Sequence, residues 1–320
     1  MNKQEIIFCG ARFETGSSVV DLANVSPTDF EALSELKELR KLRIVQTNPH
    51  ESVVGLPLDL GPLANLKHLE VVELPGLVIR DLSPLSSLSE LTEINLSSTE
   101  VSDLSPLLNS RNLRVLRVRD TKVQSVEPLR NLTQLAILDV GYTSVTDVAP
   151  LGGLDELSEL AIDNTNVADL AALRRLGKLM DLKVNGTRIR DLKELRELSW
   201  FHRTERMDLS DTKLADLSGI ETARQITELF LFNTQVSDLS PVAQLPRLRV
   251  LRLDNTPVTD LAPLSAVTTL EVLSLSGSAV RDLSPLNQLA NLRTLDVAGT
   301  SVPREQLQML AQRGVELLGP

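Results

Sequence analysis

The sequence has few aromatic residues and almost no cysteine. Aromatic residues make up 2% of its 320 positions, as six Phe, one Tyr and one Trp. A globular core of this size normally uses many aromatic side chains for bulk. Their scarcity favours a small aliphatic packing unit that is used many times. The single cysteine, Cys9, excludes a disulfide framework and a cysteine-based metal site, and it suits a reducing compartment.

Long apolar runs and an excess of basic residues are also lacking. No stretch reaches the roughly 18 uninterrupted apolar residues that a membrane span needs, and the first residues contain no apolar run of signal-peptide length. The formal net charge is −10, from 33 Lys and Arg against 43 Asp and Glu, which disfavours nucleic-acid and anionic-membrane partners. We therefore expect neither partner and a cytoplasmic location, with signal-independent secretion left open.

Signatures of catalysis are missing as well. The three histidines, His50, His68 and His202, are far apart in the sequence, and no nucleophile-elbow, zinc-site or phosphate-loop motif occurs. The sequence predicts that the protein is not an enzyme and that it uses no cofactor and no metal.

What the sequence does contain is a repeat. A segment of the form Val-x-Asp-Leu-x-Pro-Leu recurs with a period of 22 residues, as from Asp81 to Asp103. Ser125 stands at one expected aspartate position, and three extra residues separate Asp191 from Asp216. A conserved register of this length indicates a repeat architecture. The aspartates of the series are Asp59, Asp81, Asp103, Asp147, Asp169, Asp191, Asp216, Asp238, Asp260 and Asp282.

A second pattern, Leu-x-x-Leu-x-Leu-x-x-Thr, precedes each aspartate segment. Its apolar and polar residues alternate, which indicates a short strand with one buried face. About a dozen residues then return the chain to the next strand, so we expect short 3₁₀ or helical returns. Twelve strand motifs begin at Leu39, Leu69, Leu91, Leu113, Leu135, Leu157, Leu179, Thr204, Ile226, Leu248, Leu270 and Leu292.

These motifs resemble the leucine-rich repeat family, and the period and the Asp-Leu-x-Pro-Leu return resemble the short repeats of bacterial internalins. The resemblance spans Leu39 to Val302 and departs from the family at Thr, which replaces the usual Asn after the strand. It implies an α/β repeat solenoid, a curved horseshoe with a parallel β-sheet on the concave face and short 3₁₀, helical or extended returns on the convex face. We predict one continuous domain, with an N-terminal cap at residues 1–38, repeats at 39–302 and a C-terminal cap at 303–320.

The threonine and aspartate columns have predicted structural roles. The buried threonine hydroxyls must find partners, and we expect a ladder to backbone groups of the adjacent repeat. Each aspartate should accept hydrogen bonds from backbone N–H groups at the start of the return, with Pro at the first helical position in several repeats. A row of nucleophiles and a row of calcium sites are the weaker alternatives.

The two ends and two irregularities complete the pattern. A helix from Ser26–Leu36, with Phe8, Phe13 and Phe30 filling space, forms the expected N-terminal cap. A helix at Pro303–Arg313, ended by Gly314, and a short strand at Val315–Leu318 form the C-terminal cap. One insertion lies at Asn48–Gly55. The other, near Ser199–Thr204, brings Trp200, Phe201 and His202, which either cover an irregular joint or form a partner site.

Candidate binding residues occupy the outward positions of the strands. Because Leu229 and Leu231 should point inward, Phe230 and Phe232 must point outward, next to Arg252. Exposed apolar clusters beside Arg are typical anchors of protein interfaces; packing against a neighbour or a second copy is the alternative. The predicted partner-binding residues are Arg117, Arg119, Asp139, Tyr142, Asp163, Lys183, Phe230, Phe232, Arg252 and Asp254, and Asp208 lies on the same face.

The sequence therefore predicts a non-catalytic scaffold, monomeric by preference, that binds an unidentified protein on its concave face. The first alternative is a secreted or translocated internalin-like effector or adhesin. The second is a toxin-neutralising or enzyme-regulating subunit.

Overall fold

The computed structural model describes residues 5–27, 29–46 and 57–319 of the chain. Two compact units make up the protein. Unit 1 comprises Met1–Asn166 and Arg175–Leu182, and unit 2 comprises Val167–Arg174 and Lys183–Pro320. The predicted insertion at Asn48–Gly55, with His50, lies outside the described residues.

Unit 1 is built on a sheet of eight parallel strands in sequence order. Each neighbouring pair is in register one repeat apart, as Leu116 pairs with Leu138. The strands are β3 (Val19–Ala23), β4 (Lys41–Val45), β5 (Val71–Glu73), β6 (Glu93–Asn95), β7 (Val115–Arg117), β8 (Ile137–Asp139), β9 (Glu159–Ala161) and β10 (Asp181–Lys183).

Unit 2 is built on a second parallel sheet of six strands, again in sequence order. The predicted C-terminal elements belong to it: helix α1 (Arg304–Gln312) ends before Gly314, whose φ is +87°, and the last strand follows directly. The strands are β11 (Arg206–Asp208), β12 (Glu228–Phe230), β13 (Val250–Arg252), β14 (Val272–Ser274), β15 (Thr294–Asp296) and β16 (Glu316–Leu318).

Alternation within each strand creates the core. The middle residue of a three-residue strand is buried and its two neighbours face outward, as Leu116 is buried between Val115 and Arg117. A further buried residue follows, such as Val118. Because a parallel sheet places equivalent residues beside each other, these positions form continuous aliphatic layers. Such layers explain why the sequence needs so few aromatic residues.

The returns are short 3₁₀ helices, as predicted. Most begin with Pro in the first turn, which is tolerated there because the first N–H groups of a helix have no internal partner. They span Phe30–Glu35, Gly61–Leu63, Ser83–Ser87, Ser105–Leu107, Glu127–Leu129, Ala149–Gly153, Ala171–Arg175, Leu195–Glu197, Ile220–Thr222, Val242–Gln244, Ala262–Ala266 and Ser284–Gln288.

The aspartate column confirms the predicted turn. In each case Oδ1 accepts the backbone N–H two residues later, at 2.7 Å for Asp147 and 3.0 Å for Asp191. Ser125 provides the same acceptor through its hydroxyl oxygen, 3.1 Å from the N–H of Glu127. These side chains lie at the surface and close the turn that starts each return. No His, Cys, Asp or Glu group within the described ranges has the arrangement of a metal site.

The threonine column is buried as expected, but its predicted ladder between repeats is wrong. Each hydroxyl donates to the carbonyl three residues earlier in its own repeat, as Thr234 donates to Leu231 over 2.7 Å and Thr165 to Ile162 over 2.6 Å. The tight turn after the strand brings that carbonyl within hydrogen-bonding distance of the hydroxyl. The buried Ser278 hydroxyl forms no such bond.

A left-handed residue immediately precedes each of these threonines. Their φ values lie near +55° to +70°, a region that Gly and Asn tolerate and other residues adopt at a cost. Tyr142 is therefore unusual, since it is an aromatic residue with a φ of +54°. The column is Ser98, Asp120, Tyr142, Asn164, Gly186, Asp211, Asn233, Asn255, Gly277 and Gly299.

The N-terminal region differs from the predicted cap. An antiparallel hairpin of β1 (Glu5–Phe8) and β2 (Ala11–Glu14) comes first, and β3 then adds one parallel strand before the first repeat motif. The predicted helix is a 3₁₀ helix at Phe30–Glu35. Its Phe30 packs edge-to-face on Phe8, with ring centres 6.0 Å apart, which confirms that these aromatics fill space.

The second irregularity is filled in the same way. Trp200 is 7% exposed and Phe201 is fully buried, while Nδ1 of His202 donates to the carbonyl oxygen of Thr222 over 3.3 Å. These aromatics cover an irregular joint. None of the helices in the described ranges combines the length and apolarity needed to cross a membrane.

Candidate functional site

Two outward surfaces carry all of the predicted binding residues except Lys183, which lies at the end of β10. We call the outward side chains of β4 to β9, with the turn that follows each strand, the unit 1 strand face. The corresponding side chains of β11 to β16 form the unit 2 strand face. Strand alternation turns these residues outward, because the residues between them pack into the core in β4 to β15.

Four of the predicted residues meet on the unit 1 strand face. Arg119 forms a bidentate ion pair with Asp163, with Nη1–Oδ1 2.9 Å and Nη2–Oδ2 2.6 Å. It also lies 3.4 Å from Asp139, and its guanidinium stacks 4.5 Å from the centre of the Tyr142 ring. The planar fork of Arg suits this bidentate geometry.

Gly141 makes this arrangement possible. It occupies the repeat between Arg119 and Asp163, at the equivalent position of the turn. A Cβ there would overlap the Arg119 guanidinium and would lie 2.7 Å from Asp163 Oδ1. The sequence analysis missed Gly141, although it is the one glycine of its column in the described repeats.

Burial and the charge of Arg119 have opposite effects on the pKa of Asp163. The side chain is buried, with 4% of the residue exposed. Burial raises the pKa of its carboxyl, but the hydrogen bonds and charge of Arg119, with a bond from Asn164, outweigh it, so the net pKa is lowered. The hydrogen bond to Asp163 raises the pKa of Arg119 in turn, against the effect of its own burial. Both groups are charged at neutral pH.

Arg117 and Lys183 do not join that cluster. Arg117 pairs with Glu93 over 2.9 Å on the neighbouring strand, and Lys183 is an exposed residue at the end of β10. Further ion pairs cross the unit 1 strand face, such as Arg43 with Glu73 at 3.4 Å. Its charges are therefore largely neutralised by one another.

Phe230 and Phe232 point outward as predicted. Leu229 and Leu231 beside them are fully buried, whereas both phenylalanines are partly exposed. Arg206 lies 4.7 Å from the centre of the Phe230 ring and Arg252 lies 5.9 Å from it, on the two adjacent strands. Arg206 was not among the residues predicted from the sequence. Its place two residues before Asp208, which is an outward position of the same strand, could have identified it.

Apolar side chains continue this patch along the sheet. Val250 and Val272 occupy the outward positions of β13 and β14 and pair directly with each other. They lie on the two strands next to Phe230 and Phe232, and Arg206 and Arg252 lie beside Phe230. We call these six residues the unit 2 patch.

Two buried oxygen atoms flank Phe232 in the turn that follows the strand. Asp254 Oδ1 accepts a hydrogen bond from Ser274, but its Oδ2 is buried without a hydrogen-bond partner among the described residues. Ser210 Oγ, one repeat away on the other side of Phe232, is also buried and unpaired. Buried polar atoms without partners are rare because each costs about 1–3 kcal/mol.

The comparisons with known proteins agree with this fold. The family model for leucine-rich repeats in two copies matches residues 224–266. No curated protein sequence matches the chain. The repeats, their parallel sheets and this match show that the chain has a leucine-rich repeat fold.

Superposition on solved structures shows which leucine-rich repeat folds are similar to this one. An internalin of Listeria monocytogenes, InlF, superimposes with a TM-score of 0.77 at 24% identity, covering 92% of this chain and 84% of the internalin. A leucine-rich repeat protein of Leptospira interrogans gives 0.68 at 17% identity, covering 89% of this chain and 85% of that one. The fold is therefore internalin-like.

A plant structure shows the same fold in a complex. The leucine-rich repeat ectodomain of an Arabidopsis thaliana membrane receptor kinase, GASSHO1/SCHENGEN3, was solved with CASPARIAN STRIP INTEGRITY FACTOR 2. It gives a TM-score of 0.65 at 16% identity, covering 93% of this chain and 39% of the ectodomain.

Proposed function

We propose that this protein is a non-catalytic scaffold that binds a partner protein through the unit 2 strand face. Phe230 and Phe232 are the anchors of the interface. The observation that supports this most directly is the outward position of both rings in a chain with only six phenylalanines.

The surroundings of the two rings suit an interface. Arg206 and Arg252 stack near Phe230, and arginine and aromatic side chains carry much of the binding energy in protein interfaces. Val250 and Val272 extend the apolar area along neighbouring strands. The unit 2 patch thus combines an apolar centre with polar residues around it.

The sheet provides the mechanism. Short strands joined by regular hydrogen bonds fix the outward side chains before a partner arrives, so binding orders few side chains and costs little conformational entropy. A partner that is itself folded would add its own rigid surface. No catalytic group is required by this function.

The test compares partner capture by the wild type with capture by the double variant Phe230→Ala/Phe232→Ala. Tagged protein is incubated with extract of the native host, and each captured protein is quantified by mass spectrometry. We expect the captured amount of at least one specific partner to fall by about tenfold or more. Truncating an interface anchor costs roughly 2 kcal/mol or more of binding free energy. Retention of every wild-type partner would refute the proposal.

Met180→Ala/Met309→Ala is the matched control. These methionines are 69% and 52% exposed and neither is part of the unit 2 patch, so the control removes a similar apolar area. It should capture the wild-type partners. Thermal unfolding of both double variants checks that the fold is retained.

We also propose a cytoplasmic location and a monomeric state. The single cysteine suits a reducing compartment. Fractionation of the native host and sedimentation of the purified protein test the two statements separately.

A further inference from the structure

We propose that the partner of the unit 2 strand face presents a basic segment with one apolar side chain, and that a lysine or arginine of this segment binds Asp254. This inference rests on the proposed function, because it names the chemistry of the partner at that same surface.

The charge of the face supports a basic partner. Its outward positions carry five acidic side chains and only two basic ones. Arg206 is within 3.7 Å of Glu228, so one of the two basic groups is already paired on the face. The acidic residues are Asp208, Glu228, Asp254, Asp296 and Glu316, and the basic residues are Arg206 and Arg252.

Asp254 differs from the other aspartates of the face. Asp208 and Asp296 each accept the backbone N–H two residues later, over 3.1 and 3.0 Å. Asp254 lies two residues beyond its strand and closes no such turn. Its Oδ1 accepts from Ser274, and Oδ2 has no donor among the described residues. Because this carboxylate has one unpaired oxygen, a hydrogen-bond donor of the partner should contribute more binding free energy here than at the other carboxylates of the face.

Phe232 lies beside this carboxylate. The backbone N–H of Asn233 donates to the carbonyl of Asp254 over 2.8 Å, which places residues 232 and 254 next to each other on adjacent repeats. A lysine or arginine has an aliphatic stem that packs on an aromatic ring and a cationic end that seeks a carboxylate. Oδ2 is buried in the free protein, so the cation reaches it only when a neighbouring side chain moves on binding.

A second copy of this chain does not fit this chemistry. The chain has a net charge of −10, and two acidic faces repel each other in close approach. An acidic partner is excluded for the same reason, although Arg252 by itself would attract one. The apolar residues of the patch would accept any apolar segment. The charge of the face is therefore what favours a basic partner over an acidic one.

Selection from a library of random peptides displayed on phage tests the inference without knowing the partner. The library is selected on immobilised wild-type protein, and enriched peptides are then synthesised and titrated by fluorescence anisotropy. We expect enriched peptides to combine an aromatic or branched aliphatic residue with Lys or Arg on either side. Their Kd should rise steeply with added salt, because the attraction is between charges of opposite sign.

Three variants separate the possible outcomes. Asp254→Asn should weaken binding of an enriched peptide about tenfold, which corresponds to losing one charge-assisted hydrogen bond. Asp155→Asn removes the same charge at an exposed site of unit 1 and should leave the Kd unchanged. Phe230→Ala/Phe232→Ala should abolish binding.

The results distinguish this inference from the proposed function. If the double phenylalanine variant binds the enriched peptides as well as the wild type does, the proposed function fails. If binding requires the phenylalanines but the enriched peptides are neutral or acidic, or Asp254→Asn binds as tightly as the wild type, the basic partner is refuted and the binding face stands.

Discussion

Arg119 and Asp163 form a bidentate ion pair although 44 residues of sequence separate them. They belong to alternate repeats, and the pair passes over Gly141 of the repeat between them. The mutual dependence of these three residues gives the first two predictions.

Gly141→Ala should destabilise unit 1. The added methyl group would overlap the Arg119 guanidinium and approach Asp163 Oδ1, so the ion pair must shift or break. We expect a loss of about 1–3 kcal/mol in the free energy of unfolding, the usual range for overpacking. Urea denaturation measures it.

Gly153→Ala is the control for that variant. A Cβ at Gly153 would meet no atom within 4 Å, so its stability should stay close to that of the wild type. Equal effects of the two substitutions would show that Gly141 does not make room for the ion pair.

The effects of removing the two members of the ion pair should not be additive. Asp163 is buried, so Arg119→Met leaves a buried carboxylate without its cation, at a cost of about 3 kcal/mol. Arg119→Met/Asp163→Leu removes both charges and should lose clearly less than the two single variants together. A double-mutant cycle by chemical denaturation gives the coupling energy. Strict additivity would contradict the pairing.

The aspartate turns should make stability depend on pH. Hydrogen bonds from the side chain and backbone N–H of the serine two residues later lower the pKa of Asp216, Asp238 and Asp282. A lowered folded-state pKa means that the stabilisation is present above the unfolded value, near 4, and is lost as the pH falls through the folded value.

The triple variant Asp216→Asn/Asp238→Asn/Asp282→Asn should therefore lose less stability than the wild type on acidification. Asparagine keeps an acceptor oxygen for the turn, as Ser125 does naturally with its hydroxyl, but it does not titrate. Urea denaturation from about pH 5 to pH 2 measures the two slopes. If the free energy of unfolding of the two proteins falls equally with pH, the charge of these carboxylates does not contribute to stability.

The threonine hydroxyls should act independently of one another. Thr212 donates to Leu209 and Thr234 donates to Leu231, each within its own repeat. Replacing either by Val removes a buried hydrogen bond at a cost of about 1–2 kcal/mol. Because neither bond involves the other repeat, the double variant should lose the sum of the two single effects. A cooperative loss would instead favour a ladder between repeats.

Much of the fold followed from the repeat pattern. Strands β4 to β15 lie at the twelve predicted motifs. The turns in which an aspartate such as Asp147 accepts the backbone N–H two residues later also form as expected. Both features depend only on residues that are close in sequence. The hairpin and β3 were not predicted, since Val19–Ala23 lacks the spaced leucines of the repeat and gains its partner only through pairing with β4. The outward position of Phe230 followed from alternation alone.

The sequence by itself determined the period, the inward and outward positions and the turn chemistry, because these depend on local spacing and on backbone hydrogen bonds. Only the tertiary structure decided which outward charges are neutralised. Arg119 is paired because stacking places Gly141 beneath it, whereas Asp254 Oδ2 has no donor among the described residues, and the repeat before it carries Phe232 at the equivalent position. Side chains one or two repeats apart meet only when the strands are stacked, and no spacing within a single repeat specifies which of them will bond.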